Sequence, residues 1–242
     1  MEKYKKSYVI SSFEVDAQSR LRLHSLFNLF QDIADEHAEK IGVGYTFCKQ
    51  NGVGWVGGAY RLKINRLPTW GESVTLETWP SASTAASGIR DFRLTDKNGQ
   101  DLVLATSQWV LVDTNRMRPI PVAKHLPHYE VIDEHTVPPD FIKIPAPEGQ
   151  AEVKPFTIHA DDIDLNDHVN NALYPTWALD SFSDEYLKTH QITDIQIDFK
   201  RPAKYGYKIA LQTIIKDLSS TTLIVNPDEG TEYARVHIGW RE

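Results

Sequence analysis

The residues of this chain that are best suited to chemistry stand in one polar run, from Asp164 to Asn171. The run reads Asp-Leu-Asn-Asp-His-Val-Asn-Asn, so that a carboxylate, a carboxamide and an imidazole stand two residues apart at Asp164, Asn166 and His168. Residues two apart project to the same side of an extended segment. If the run is extended, we expect all three side chains to face one pocket.

These residue types are compatible with a hydrolytic site. Histidine can accept a proton near neutral pH, which makes His168 a candidate general base. Asp164 could orient or charge-stabilise the imidazole, and Asn166 could hold water or donate to a carbonyl. An apolar helical pattern follows the run, and backbone N–H groups at a helix start form a positive dipole end suited to a developing oxyanion.

Other interpretations of the run are a helix cap and a metal site. Asp and Asn favour caps and turns for local reasons, and Asn170 or Asn171 supplies a cap without His168. A calcium loop fails because Asp167 stands where glycine is required and Leu173 where glutamate is required. One histidine with hard oxygen ligands is a weak transition-metal set. The residues alone leave the cap and the catalytic site as alternatives.

The elements that position this run occur twice in the chain. Residues 64–78 align without a gap on residues 199–213. The identical pairs are Arg66 and Arg201, Gly71 and Gly206, Leu76 and Leu211, and Thr78 and Thr213. A long segment present twice indicates two copies of one supersecondary unit, since a solenoid needs three or more repeats.

Each copy is predicted to hold one long helix. Apolar residues recur at the helical period over residues 26–41, and Gly42 follows as a C-terminal cap. In the second copy, Pro175 is tolerated only in a first turn, so the helix must begin shortly before it. Asn170 or Asn171 is then the expected N-cap.

Antiparallel strands are predicted to follow each helix. Strict alternation predicts strands at residues 73–77 and 195–199. Asn98-Gly99 and Asp228-Glu-Gly230 predict turns between paired strands. The predicted fold class is therefore α+β, with a sheet wrapped on a helix in each copy and the two copies side by side as an internal pseudo-dimer.

A proline-rich segment separates the two copies. Residues 114–155 hold eight of the thirteen prolines, which predicts a stiff, extended connection. The predicted domains are an N-terminal half over residues 1–113, this linker over residues 114–155, and a C-terminal half over residues 156–242 that carries the polar run.

Composition excludes several classes of protein. The net charge of −7 over 242 residues argues against general nucleic-acid binding. Cys48 is the single cysteine, so neither an intrachain disulfide nor a Cys-rich zinc site can form. No apolar run approaches the ~20 residues of a membrane span, and the apolar stretch near the N-terminus is too short for a secretory signal. We therefore expect a cytoplasmic location.

The run from Asp164 to Asn171, with Trp177 after it, closely resembles the signature of acyl-acyl carrier protein (acyl-ACP) thioesterases. In the first half the resemblance extends to Pro68-Thr-Trp-Gly-Glu72, Glu77-Thr-Trp79 and Gly88-Ile-Arg-Asp-Phe-Arg93. Members look like two tandem hotdog folds, each a long helix cradled by an antiparallel sheet. The resemblance implies hydrolysis of the fatty acyl-ACP thioester, with release of free fatty acid and holo-ACP in fatty acid biosynthesis. It implies no metal or redox cofactor.

The resemblance also implies a role for each residue of the run. His168 would act on water as general base or help to position it, Asn166 would orient the water or the thioester, and Asp164 would support both. Plant members carry a Glu-Cys pair where this chain has Pro202–Ala203. A cysteine nucleophile is therefore impossible there, and Asp198 is a nearby carboxylate that could substitute for the glutamate. We expect direct attack by water, and we expect no plant-type transit segment.

One active site is expected, because the first half lacks the Asp-x-Asn-x-His pattern. His24, at the predicted start of its helix, is interpreted as structural or as surface. Candidate walls of an acyl pocket, with a core role as the alternative for each, are Phe27, Phe30, Ile33, Ala34 and Trp55.

The expected partner is acyl carrier protein, which is acidic, so a local basic patch is expected. Its candidate residues are Arg61, Lys63 and Arg66, or Lys200, Arg201 and Lys204. Acyl-CoA hydrolysis, hydration of an enoyl thioester by a hotdog-type enzyme and non-catalytic binding of acyl carriers are the rival functions. The sequence leaves open the acyl chain length and whether the chain forms a homodimer.

Overall fold

The computed structural model describes residues 2–148 and 151–242, and the chain divides into two compact units. The first unit runs up to Leu21 and continues over Asn28–Phe141. The second comprises Arg22–Phe27 and Ile142–Glu242. Each unit combines helix with antiparallel sheet, so the predicted α+β class is confirmed.

The first unit is built on an antiparallel sheet with the strand order β1-β3-β4-β5-β2, and β6 pairs with β5. Its strands are β1 (Tyr4–Val9), β2 (Val53–Ile64), β3 (Ser73–Ser83), β4 (Ser87–Asp96), β5 (Asp101–Asp113) and β6 (Arg118–Pro119). Its helices are α1 (Leu23–Lys40), whose first residues fall in the second unit, α2 (Tyr45–Asn51) and α3 (Val122–His125).

Helix α1 buries the face that its sequence pattern predicts. Phe30 and Ile33 are fully buried, and the Phe30 ring stacks on Phe92 of β4 with a centroid distance of 4.7 Å. Burying one such side chain stabilises the fold by roughly 1.5–3 kcal/mol. The helix ends before Gly42, whose φ of +77° is the left-handed conformation that a C-terminal cap requires. Both the helix and its cap are confirmed.

The strands of the second unit pair in the antiparallel order β8-β11-β10-β9-β7. Its strands are β7 (Glu152–Thr157), β8 (Gln191–Phe199), β9 (Lys208–Lys216), β10 (Ser219–Val225) and β11 (Glu232–Arg241). Its helices are α4 (Leu173–Leu179) and α5 (Asp184–Thr189). Trp177 of α4 is buried and packs on Phe156 of β7, with ring centroids 4.7 Å apart.

The predicted repeat is confirmed at its turn. Gly71 and Gly206 occupy equivalent places before β3 and β9, and their φ values are +78° and +79°. The predicted turns between paired strands are also confirmed, since Gly99 and Gly230 have φ values of +80° and +67°. A glycine adopts this conformation without the steric cost that a side chain imposes.

The prediction of one long helix in the second copy is wrong. Helix α4 ends at Leu179, and α5 begins separately after the N-cap Ser183, whose hydroxyl accepts from the backbone N–H of Tyr186. Between them, the hydroxyls of Ser181 and Thr213 of β9 lie 2.6 Å apart. Because the Ser183 hydroxyl takes up a backbone N–H at the start of α5, serine here favours the beginning of a new helix over continuation of α4.

The proline-rich segment holds little regular structure. Beyond β6 and α3, residues 126–148 form no helix or strand, and β7 begins at Glu152. Residues 149 and 150 of the predicted linker lie outside the described residues. The domain boundaries placed on either side of it stay predictions. Within residues 2–148 and 151–242, no helix is long and apolar enough to span a membrane.

Candidate active site

The polar run forms a tight turn, so the prediction of an extended segment is wrong. The backbone N–H of Asp164 donates to the carbonyl of His168 at 2.7 Å, and that of Asp167 donates to the carbonyl of Asp164 at 3.1 Å. Asp167 has a φ of +61°, in the left-handed region. This residue reverses the chain, and the bridge Ile163–Val169 closes the turn. Side-chain alternation along a strand therefore does not apply.

The Asp164 carboxylate holds this turn from inside. Its Oδ1 accepts the backbone N–H of Asn166 at 2.8 Å and, at 3.4 Å, lies near that of His168. Among the described residues, none forms a hydrogen bond with the His168 imidazole or with the Asn166 carboxamide. Asn166 is exposed and His168 is half-buried. Both side chains are thus available to water or to a substrate.

The start of helix α4 differs from the prediction in two respects. Ala172 is the N-cap, and Asn170 instead caps the preceding turn, because its Oδ1 accepts the backbone N–H of Ala172 at 2.9 Å. The Asn170 carbonyl accepts the N–H of Leu173 at 3.0 Å. These two N–H groups are therefore already bonded within the turn, and stabilisation of an oxyanion by the start of the helix stays a prediction.

The turn is fastened to Pro202–Ala203, the segment that stands where the family resemblance places a Glu-Cys pair. The backbone N–H of Val169 donates to the carbonyl of Ala203 at 2.9 Å, and the N–H of Ala203 donates to the Tyr174 hydroxyl at 3.3 Å. Burial raises the pKa of Tyr174 to about 12, so this hydroxyl stays protonated. Ala203 is fully buried, and Pro202–Ala203 supplies neither an acid nor a nucleophile to the site.

Asp198, the carboxylate considered as a substitute, is buried near the end of β8. Its Oδ2 accepts the backbone N–H of Ile144 at 2.8 Å and lies 3.6 Å from the Lys200 ammonium. The carboxylate therefore fastens the proline-rich segment to the second sheet. Its assistance to catalysis stays a prediction.

Sequence reasoning missed the surroundings of His24. This residue is half-buried, and its pKa is lowered mainly by burial and next by the Arg22 cation, while Asp162 acts in the opposite direction. The charge of Asp162, just before the polar turn, is thus felt at the start of α1. No local signal in one sequence indicates that two segments so far apart in the chain meet.

The single thiol is unsuited to nucleophilic chemistry. Cys48 lies in a buried apolar cluster with Val43 and Leu111, and burial raises the pKa of its thiol to about 11. A thiol with such a pKa is almost entirely protonated at neutral pH. Among the described residues, no group of three or more His, Cys, Asp or Glu side chains could hold a metal ion.

Two family models match the chain, and together they cover most of it. The acyl-ACP thioesterase N-terminal domain matches residues 1–129, and the acyl-ACP thioesterase C-terminal domain matches residues 146–242. The chain belongs to the acyl-ACP thioesterase family. The predicted resemblance is confirmed, and the polar turn of this acyl-ACP thioesterase family member lies in the C-terminal match.

Similar proteins carry the same family name. The palmitoyl-acyl carrier protein thioesterase of Gossypium hirsutum is 27% identical over 98% of this chain and 63% of its own length. The chain spans about half to two thirds of the length of the curated relatives that it matches. Among solved structures, the 12:0-ACP thioesterase from Umbellularia californica has a TM-score of 0.86 at 26% identity, covering 99% of this chain and 97% of that one. A putative oleoyl thioesterase from Lactobacillus plantarum has a TM-score of 0.85 at 28% identity, with 99% and 96% covered.

Proposed function

We propose that this acyl-ACP thioesterase family member hydrolyses the thioester of fatty acyl-ACP and releases a free fatty acid and holo-ACP. The observation that carries the proposal is the polar turn, which presents the His168 imidazole and the Asn166 carboxamide with no hydrogen bond to another described residue. The matches of both domains to acyl-ACP thioesterases support the substrate class.

In the proposed reaction, His168 acts as general base and water is the nucleophile. The water oxygen attacks the thioester carbonyl carbon while the imidazole takes up the water proton. The Asn166 amide donates to the carbonyl oxygen or holds the attacking water. The tetrahedral intermediate then collapses, the C–S bond breaks, and the imidazolium returns its proton to the leaving thiolate. The products are a carboxylic acid and a thiol.

Water is favoured over an enzyme nucleophile for a structural reason. The Cys48 thiol is buried, with its pKa raised to about 11. The chain has Pro202–Ala203 where plant members carry Glu-Cys. The residues of the turn itself offer no thiol or hydroxyl, since it consists of Asp, Asn, His and apolar residues. An acyl-enzyme formed through a thiol or a hydroxyl therefore has no carrier among the residues of this turn.

A basic surface for the acidic acyl carrier protein is better supplied by the second of the two predicted groups. In the first group, Arg61 is buried and Arg66 forms two hydrogen bonds with Glu72, at 2.9 and 2.6 Å, which leaves the exposed Lys63. In the second, Lys200 and Lys204 lie 3.6 and 3.8 Å from the carboxylates of Asp198 and Asp167. The exposed Arg201 guanidinium forms no ion pair with any described residue and lines a cleft of about 560 Å³ within the second unit. We propose that the carrier docks beside this cleft. A cytoplasmic location stays a prediction, as does formation of a homodimer.

The test is an assay of purified chain on acyl-ACPs of several chain lengths, with matched acyl-CoAs and an enoyl thioester. Free thiol is measured with a thiol-trapping reagent and fatty acid by mass spectrometry. We expect equal release of thiol and fatty acid, faster from acyl-ACP than from acyl-CoA. Faster release from acyl-CoA would indicate the rival thioesterase, and hydration of the enoyl thioester without thiol release would indicate the hydratase. Binding of acyl-ACP without turnover would contradict the proposed hydrolysis and would favour a non-catalytic carrier-binding protein.

A further inference from the structure

We propose that Asp164 is a positioning residue: its carboxylate builds the turn that presents Asn166 and His168, and it is not an electrostatic partner of the imidazole. The inference rests on the proposed function and names the role of one residue in that site. It follows from a comparison of this turn with two other turns of the same chain that hold no histidine.

The first of these turns lies at Asp16, before helix α1. The Oδ1 of Asp16 accepts the backbone N–H groups of Gln18 and Arg20, each at 2.9 Å. The backbone N–H of Asp16 donates to the carbonyl of Arg20 at 2.8 Å, and Ser19 has a φ of +60°. The backbone bonds and the left-handed position match those of the polar turn, with Gln18 and Arg20 where the polar turn has its amide and its imidazole. The Oδ2 of Asp16 also accepts from the Arg20 Nε at 3.0 Å, whereas among the described residues the Asp164 carboxylate forms no bond with the His168 imidazole.

The turn at Asp16 also resembles the polar turn in its flanks. A short 3-10 turn with a capping box precedes each, at Ser12–Glu14 and at Ala160–Asp162. The residue after each turn donates its backbone N–H to the carbonyl of the repeated segment, Leu21 to Pro68 at 2.8 Å and Val169 to Ala203 at 2.9 Å. The aspartate is thus part of the turn in both halves, whatever side chains the turn presents.

The second such turn is a hairpin connection. Between β4 and β5, the Oδ1 of Asp96 accepts the backbone N–H groups of Asn98 and Gln100 at 2.8 and 2.9 Å, and Gly99 takes the left-handed position. The bond from Gln100 is the largest cause of the lowered pKa of Asp96. A carboxylate in this pattern therefore stabilises the turn itself.

At Asp164 the described contacts are of the same kind. Its Oδ1 approaches the two backbone N–H groups, whereas no described residue, Asp164 included, forms a hydrogen bond with the His168 imidazole. A neutral amide oxygen accepts backbone N–H groups in a related turn of this chain, where the Oδ1 of Asn226 bonds the second and third residues after it, Asp228 and Glu229, at 2.9 and 3.2 Å. We therefore expect asparagine to build the turn at position 164 as the carboxylate does, because an amide oxygen accepts the same backbone bonds.

The test compares Asp164→Asn with Asp164→Ala in the full chain, by kcat and by the pH dependence of kcat on acyl-ACP. We expect Asp164→Asn to retain turnover within about 10-fold of the unsubstituted chain with the same pH midpoint, because the turn persists. Asp164→Ala should lose about 10²-fold through misplacement of the two side chains. A carboxylate that supports a catalytic imidazole directly loses about 10⁴-fold on amidation. Equal large losses in both variants, or a midpoint lowered by about one unit in Asp164→Asn, would overturn the inference.

A structural measurement separates this inference from the proposed function. NMR of the Asn166 and His168 backbone amides should show the turn preserved in Asp164→Asn and lost in Asp164→Ala, irrespective of turnover. The matched pair Asp96→Asn and Asp96→Ala should show the same contrast at Asn98 and Gln100 with no effect on kcat. If the unsubstituted chain releases no thiol, the proposed function fails, and the amide spectra alone decide the role of Asp164. A turn lost in Asp164→Asn would contradict that role.

Discussion

His168 and Asn166 project from a turn whose backbone is bonded internally, while their own side chains form no hydrogen bond with a described residue. Asp164 thus shapes the turn, whereas Asn166 and His168 are the side chains that the turn presents. The imidazole can accept a proton from water, and the amide can donate to a carbonyl. The predicted catalytic roles of both stay predictions, and each can be tested by a single substitution.

We expect His168→Ala to lower turnover on acyl-ACP by about 10²-fold or more, because the water then lacks its base. Asn166→Ala should lower kcat similarly if its amide contacts the transition state. His128→Ala removes another exposed histidine and serves as the matched control with unchanged turnover. Full turnover in both site variants would mean that the assigned site is wrong.

A second histidine affects stability rather than catalysis. The Nδ1 of His37 lies 3.1 Å from the Arg90 Nη1, and since a guanidinium only donates, this nitrogen must accept. Burial, and next the Arg90 charge, lowers the pKa of His37 to about 4. The unfolded chain protonates this residue near pH 6.5, whereas the folded chain does so near pH 4. Neutral His37 therefore contributes to the free energy of unfolding in full above pH 6.5, and this contribution is lost as the pH falls toward 4.

The expected size of this contribution is about 3 kcal/mol between pH 7 and pH 4. His37→Asn keeps an acceptor for Arg90 but cannot titrate, so its free energy of unfolding should fall less steeply with acid than that of the unsubstituted chain. Urea unfolding at several pH values measures the difference, and His128→Ala should keep the original slope. Parallel slopes for His37→Asn and the unsubstituted chain would contradict the prediction.

At the scale of elements, the proline-rich segment is fixed by two buried carboxylates. Asp91 of β4 accepts the backbone N–H of Thr136 at 2.7 Å and contacts the Thr106 hydroxyl at 2.6 Å. Asp198 of β8 accepts the N–H of Ile144 at 2.8 Å. Prolines make the segment stiff, but these side chains fix its path against the sheets. The sequence predicts the stiffness and gives no sign of the anchors.

Asp91→Ala should lower the free energy of unfolding by about 3 kcal/mol, because buried donors then lack their acceptor. Asp101→Ala is the matched control, since its carboxylate pairs with Arg93 in a partly exposed position and should be worth less than about 1 kcal/mol. Urea unfolding measures both variants. Limited proteolysis should also cleave residues 126–148 faster in Asp91→Ala alone. Equal losses of stability in the two variants would refute the anchor.

At the scale of the whole molecule, the net charge of −7 does not show which positively charged side chains can bind an acidic partner. Arg66 and Glu72 neutralise one another, whereas Arg201 lines a cleft and forms no ion pair with a described residue. Net charge governs general association, but a docking site depends on unpaired groups at one place. Arg66 and Arg201 align in the repeat, but the sequence does not show that Arg66 forms an ion pair and that Arg201 forms none with a described residue.

We expect Arg201→Glu to raise the KM for acyl-ACP by about 10-fold or more at low salt with little change in kcat, because a rim charge mainly affects encounter. The KM for acyl-CoA should change less. Lys97→Glu makes the same charge change on an exposed turn of the first unit and should leave both constants unchanged. Equal effects of the two substitutions would indicate general repulsion rather than docking at the cleft.

The sequence by itself determined the features that depend on neighbours along the chain. These are the amphipathic helix α1 with its cap at Gly42, the alternating strands, the glycine turns and the repeated segment. Periodicity and left-handed glycines act over a few residues, so one sequence suffices to predict them. The family signature was equally local, because it lies within eight consecutive residues.

Only the tertiary structure decided the features that depend on contacts between distant segments. The local bonds of Asp164 shape the polar turn, but its place is fixed because Val169 is fastened to Ala203. The sequence did not reveal that Asp16 forms an equivalent turn. The distance from Asp16 to residues 64–78 is longer than that from Asp164 to residues 199–213, so the two turns do not align when the repeated segments are aligned. Spacing shows which residues can do chemistry, whereas only the folded chain shows the turn that presents them and the long-range bond that holds this turn in place.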